Sequence, residues 1–121
     1  MPTATGHTNA IRAERVIGTD VKDSEGNVIG KIEDIILEKT DNKIMFAVIG
    51  FGGVLGMGEK FHPLPWSVLD YVPEENAFVV PYTAEQLKQA PANTIDELTK
   101  DDGQWARDTA YDYYKVEPYW H

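Results

Sequence analysis

The chain has 121 residues, no cysteine, 42% hydrophobic residues and a formal charge of −9 from 20 acidic against 11 basic residues. That length holds one core of ordinary size, and the missing thiols exclude disulfide frameworks, thiolate zinc sites, iron–sulfur clusters and thiol nucleophiles. An acidic surface with Lys and Arg scattered singly disfavours phosphate backbones and anionic lipid.

No apolar run nears the roughly 20 residues of a membrane helix. The opening MPTATGHTNAIRAER has no hydrophobic signal region. The expectation is a soluble cytoplasmic protein with neither a nucleic-acid nor a membrane partner.

Residues 1–13 are small and polar and are expected to form a disordered or loosely docked arm. Order is expected from Val16–Ile17, with a short strand at Asp20–Lys22. Asp23-Ser24-Glu25-Gly26-Asn27 then reads as a tight reversal, Asp bonding the backbone ahead and Gly26 accepting a positive φ. A calcium reading of this acidic loop fails on the ligand spacing of an EF-hand.

Val28 to Leu37 is rich in β-branched residues and reads as a strand. Ile32, Asp34 and Ile36 share one face, and Ile35 and Leu37 the other. Asp41-Asn42 turns the chain into a third strand, Lys43 to Phe51, whose two faces are both apolar: Ile44, Phe46 and Val48 against Met45, Ala47 and Ile49. A small barrel needs only its inner face apolar. Two adjacent two-sided strands therefore call for a cover, from the C-terminal segment, a second subunit or both.

Gly50 to Gly58 is glycine-rich, yet Leu55 stands where a dinucleotide fingerprint needs its third glycine. Glu59 stands where a P-loop needs lysine. The loop reads as a connection, with Val54, Leu55 and Met57 as an apolar tip of the kind that marks a contact surface. Glu59 to Trp66 gives a fourth strand, confined to an edge or a strand end by Pro63 and Pro65. A helical turn at Ser67–Leu69 and a hairpin of Asp70–Pro73 and Ala77–Pro81 follow, with Trp66, Val68, Leu69, Phe78 and Val80 as core.

The ordered series Gly18-x-x-Val21, Gly26-x-x-Ile29-Gly30-x-Ile32-x-Asp34, the apolar strand running into the loop at Ala47–Gly58, and Pro65-Trp66 resembles the PRC-barrel family. These are small β-barrels named after the H subunit of the photosynthetic reaction centre. The resemblance covers roughly residues 16–83, and the C-terminal domain of the ribosome maturation factor RimM is similar more distantly. It implies an antiparallel barrel with a protein-binding or accessory role. A part in photosynthetic electron transfer or proton management, as in the H subunit, is the alternative it also implies. Gly18, Gly26, Gly30, Asp34, Gly52, Gly53, Pro65 and Trp66 are read as structural.

From Thr83 the pattern turns helical. Thr83-Ala84-Glu85-Gln86 and Thr94-Ile95-Asp96-Glu97 are capping boxes, and Pro91 ends the first helix near Ala90. A third helix is expected from Asp102 to Tyr114, with Ala106, Thr109, Ala110 and Tyr113 along one stripe. Trp105, Tyr111, Tyr113, Tyr114, Tyr119 and Trp120 crowd the last 17 residues. So aromatic a segment packs on something, its own barrel or a partner.

No catalytic constellation emerges. His7, His62 and His121 lie far apart in sequence, and no pair has metal-ligand spacing. Ser24 and Ser67 lack a nucleophile context. Glu74-Glu75 is a solvated hairpin tip. Asp34, acidic inside an apolar strand, either caps backbone groups at a bulge or carries a proton.

The expected fold is an all-β small antiparallel barrel of five or six strands (14–83), preceded by an arm (1–13). A helical, aromatic-rich extension (84–121) packs on the barrel. The expected function is a non-enzymatic interaction or assembly module without cofactor or metal, binding a protein partner or itself as a homodimer. Its candidate contact residues are Val54, Leu55, Met57, Trp105, Tyr113, Tyr114, Tyr119 and Trp120. Small-ligand binding at the barrel mouth beside Gly52–Gly58 is a further alternative.

Overall fold

A computed structural model describes residues 10–51 and 60–120. Gly52, Gly53, Val54, Leu55 and Met57 lie outside the described residues, so the expected contact tip at this loop has no structural account. Ile11 already packs against the core, and Ala13–Val16 forms a helical turn, α1, earlier in the chain than the sequence suggested.

Three strands follow in succession: β1 (Asp20–Lys22), β2 (Val28–Glu38) and β3 (Lys43–Phe51). Asp23 makes the first reversal. Its buried Oδ1 accepts the backbone N–H groups of Glu25 and Asn27, each at 2.9 Å. These bonds, Asn27 foremost, hold its carboxyl below the usual range. Gly26 supplies the positive φ of that turn, as Gly18 does ahead of β1.

Two later hairpin strands, β5 (Asp70–Val72) and β6 (Ala77–Val79), and the short β4 (His62–Leu64) complete one six-stranded sheet in the order β4-β3-β2-β1-β6-β5. It differs from the expected closed antiparallel barrel in two respects. β1 and β6 run parallel, with Val21 beside Phe78, and the pairing is prolonged by Val80 N–H to the Lys22 carbonyl at 3.0 Å. Among the described residues no ladder joins the edge strands β4 and β5.

The open seam has a local cause. Pro63 has no N–H to donate, and Pro65 leads into a 3₁₀ turn at Trp66–Val68. The expected strand from Glu59 to Trp66 thus contracts to three residues, while Phe61 bridges to Asn93 instead. The sheet is nevertheless not flat. Flat, its outer strands would stand about 24 Å apart, whereas the six steps from Leu64 to Asp70 span at most about 22 Å even fully extended.

At Gly30 the β3 backbone comes close to β2. A Cβ there would lie 2.0 Å from the Gly50 carbonyl oxygen, so no other residue fits without moving the strand. The β2–β3 register then slips between Ile32 and Asp34, a bulge at Glu33. The slip puts Ile32 and Ile35 on the same side and Ile36 on the other, correcting the strict alternation read from sequence. Asp34 is exposed rather than enclosed in an apolar strand, and its Oδ1 accepts the Ile35 N–H at 2.7 Å.

Two clusters share β3. Ala47 and Ile49 face inward with Val21, Ile32, Leu64, Leu69, Phe78 and Val80. Met45, Phe46 and Val48 join Leu98 and Ala106 in the second cluster. Leu98 belongs to α3 (Ile95–Thr99) and Ala106 to α4 (Gln104–Tyr114). The cover that a two-sided β3 calls for is therefore supplied by the chain's own helices.

Candidate functional site

The segment that supplies this cover is built by local rules. Thr83 and Gln86 close a capping box at the start of α2 (Ala84–Lys88), and Thr94 and Glu97 close another before α3. Glu97 accepts the Thr94 N–H at 3.0 Å, the main reason its carboxyl lies below the usual range.

Between α3 and α4 three consecutive residues are left-handed: Asp101 (φ 52°), Asp102 (φ 56°) and Gly103 (φ 79°). Gly103 is buried, and a Cβ on it would meet Met45 and Phe46 at ordinary contact distance, so the positive φ is what requires glycine. This reversal delays α4 to Gln104, two residues after the expected start.

From there Gly103, Ala106, Arg107, Ala110, Tyr111 and Tyr114 form the buried stripe, not Thr109 and Tyr113 as read from sequence. Tyr114 packs on the inner cluster and stacks on Tyr82 at 4.7 Å, burial pushing its phenol up. Tyr113 donates its hydroxyl to the Gln86 carbonyl at 2.6 Å. Both expected contact tyrosines thus pack within the chain.

Arg107 gave no signal in the sequence beyond its charge, yet it organises the C-terminal segment. It is 6% exposed, with Nε 3.0 Å from Asp108 and Nη1 3.7 Å from Glu38. Lys115, left-handed at φ 58°, ends α4 and turns the chain back. Trp120 then lies over the guanidinium at 3.7 Å and against Tyr111 at 4.9 Å. Tyr119 donates to Glu38 at 2.9 Å. That bond is the main cause holding the Glu38 carboxyl below its usual range, while Glu38 raises its neighbour Asp41. Burial pushes the Tyr111 phenol up to about 12. With α4 set by the turn at Gly103, the i to i+3 and i+4 spacing of the buried stripe carries Arg107 inward.

The opposite face of α4 is open. Trp105 is 40% exposed, with the Lys100 ammonium 4.9 Å from its ring centre. It borders a cleft of about 430 Å³ with Asp101, Asp102, Gln104 and Asp108. A second cleft of about 420 Å³ adjoins it through Asp102 and Gln104 and includes Ile36, Leu37, Met45 and Arg107 in its lining. Leu37 there is 63% exposed.

The remaining titratable groups with distinct environments lie apart from this surface. His62 stacks on Phe51 at 4.3 Å, and burial lowers its imidazole to about 4. Among the described residues no group of three or more His, Asp or Glu is placed to hold a metal ion, and no helix is long and apolar enough to cross a membrane. Trp66, read as structural, packs against the inner cluster with its ring 5.8 Å from that of Phe78.

Comparison with known proteins gives one assignment. No curated protein matches the chain significantly. The family model described as PRC-barrel domain matches residues 8–87, more than half of the chain, and takes in all six strands. The chain belongs to the PRC-barrel family.

Proposed function

We propose that the chain is a non-enzymatic docking module that binds another protein through the surface running from Leu37 to Trp105. One observation carries this reading: α4 turns Ala106 onto the β3 cluster and leaves Trp105 facing solvent in a cleft that adjoins the one holding the exposed Leu37. Tryptophan is enriched at the energetic centres of interfaces, and large exposed apolar groups gathered at one place mark contact surfaces. The apolar face of β3 that called for a cover, from the C-terminal segment, a second subunit or both, is covered within the chain, which favours a foreign partner over a second copy.

The test is capture of binding proteins from the cells that make the chain, then reconstitution of an identified pair from purified components. Trp105→Ala and Leu37→Ser are each expected to weaken that pair about tenfold or more. Val28→Ser, at an equally exposed site on the far end of β2, leaves it intact. A pair indifferent to Trp105 and Leu37 would overturn the assignment of the surface.

A further inference from the structure

The docking surface has a distinct chemistry, and from it we infer the class of partner: a positively charged amphipathic segment, with an apolar side chain in the Leu37 cleft and a Lys or Arg on Trp105. The inference rests on the docking reading above and names the partner for that same surface.

Two observations carry it independently. The first is the cleft at the end of the β2–β3 hairpin, where Leu37, largely open to water, lies beside Ile36 and Met45 in a lining that is otherwise mostly polar. The second is the neighbouring cleft, which Asp101, Asp102 and Asp108 line together with the exposed Trp105. A tryptophan face attracts cations, and flanking carboxylates add a second attraction for the same charge. The chain itself illustrates the preference, since Lys100 holds its ammonium 4.9 Å from that ring. Lys100 is exposed and therefore displaceable by a cation that brings apolar contacts with it.

The two clefts meet at Asp102 and Gln104, so one short segment spans both. Arg107 is occupied by Asp108, Glu38 and Trp120 and offsets Asp108, so Asp101 and Asp102 are the carboxylates that carry the attraction, while Lys39 lines the Leu37 cleft rather than the one at Trp105. A second copy is the poorer occupant on charge. It carries −9 of its own and would bring like charge to an acidic face.

The probes are two synthetic peptides of equal length and equal apolar content, one charged with Lys and Arg, the other with Asp and Glu. Binding to the full chain is followed by amide and indole N–H NMR shifts. The basic peptide is expected to give saturable shifts at Leu37, Gln104 and the Trp105 indole, and the acidic peptide none. Raising the salt from about 0.05 to about 0.5 M weakens the basic peptide several-fold. Trp105→Ala weakens it about tenfold.

The variant Asp101→Asn/Asp102→Asn removes the charge while keeping residues that tolerate the left-handed turn, and leaves the Asp108 pair with Arg107 intact. It is expected to erase the preference for the basic peptide. Equal binding of the two peptides, or shifts confined to another face, would overturn the inference. Shifts at Trp105 that grow with protein concentration alone would assign the surface to a second copy and overturn it as well. If a reconstituted native pair needs Trp105 and Leu37 but no basic peptide binds, the docking reading stands and the partner chemistry falls.

Discussion

The two sides of β3 are packed by different means. Its inner side faces residues from β1, β2, β4 and β6, so Ala47 and Ile49 sit in a cluster to which many elements contribute. Its outer side faces two helices, through Leu98 and Ala106, with Ile36 and Phe61 at the margin. The inner cluster is built mainly from residues 8–87, the span the family model matches, with Ala90 and Tyr114 added from beyond it, whereas the outer one takes Leu98 and Ala106 from the chain past residue 87. The difference teaches that the C-terminal segment is structural on one face and available on the other.

Removing the segment tests this most severely. Ending the chain after Ala90 uncovers Phe46 and Val48 and deletes Leu98, groups whose burial is worth about 1.5–3 kcal/mol each. The expected loss exceeds about 4 kcal/mol, read as a lower denaturant midpoint or as aggregation in light scattering. An equally stable, soluble product would show that the outer side of β3 needs no cover.

A smaller probe compares the two clusters directly. Leu98→Ala and Leu64→Ala each remove a fully buried leucine, one from each side. Each should lower stability by about 2–5 kcal/mol with a single unfolding transition. Two separate transitions in the Leu98 variant would mean that the helices melt independently of the sheet.

Smaller again is the turn that sets α4. Gly103→Ala keeps ordinary contacts with Met45 and Phe46, so only the left-handed backbone is penalised, by about 1–2 kcal/mol in thermal or chemical unfolding. A neutral result would mean that the turn relaxes freely.

The least effect is on acid stability. His62 has its pKa lowered from 6.5 to about 4, so between those values the unfolded chain binds a proton that the folded chain does not. Stability should fall as pH drops through that window, and His62→Phe should flatten the slope there. Below it Glu38, depressed by Tyr119, adds stability that is lost as pH falls through its folded pKa. Tyr119→Phe should reduce that further loss, measured as unfolding midpoints across the acid range.

Much of this was legible locally. The limits of β1 and β3, the reversal at Asp23–Asn27 and both capping boxes depend on neighbours within a few residues. What escaped depends on distant chain. The parallel pairing of β1 with β6 joins residues more than fifty apart and leaves no mark in either strand. The bulge at Glu33 breaks an alternation that a period of two cannot anticipate.

The proposed docking surface was legible in part. Trp105 stood out by type, but Tyr113, Tyr114, Tyr119 and Trp120, equally aromatic, pack on their own chain. Aromatic content states that burial is needed, not where it is found. Leu37 became conspicuous only once the bulge had set which side of β2 each residue takes. Arg107 reads as an ordinary surface charge until Trp120 is seen folded over it.

The central claim is that the chain closes its own outer sheet face and keeps the Trp105 face for a foreign partner. Light scattering of the full chain across a concentration series tests it most directly. The mass of a single chain at every concentration is the predicted result. A stable dimer whose dissociation follows Trp105→Ala would contradict it, because the face assigned to a foreign partner would then be occupied by a second copy.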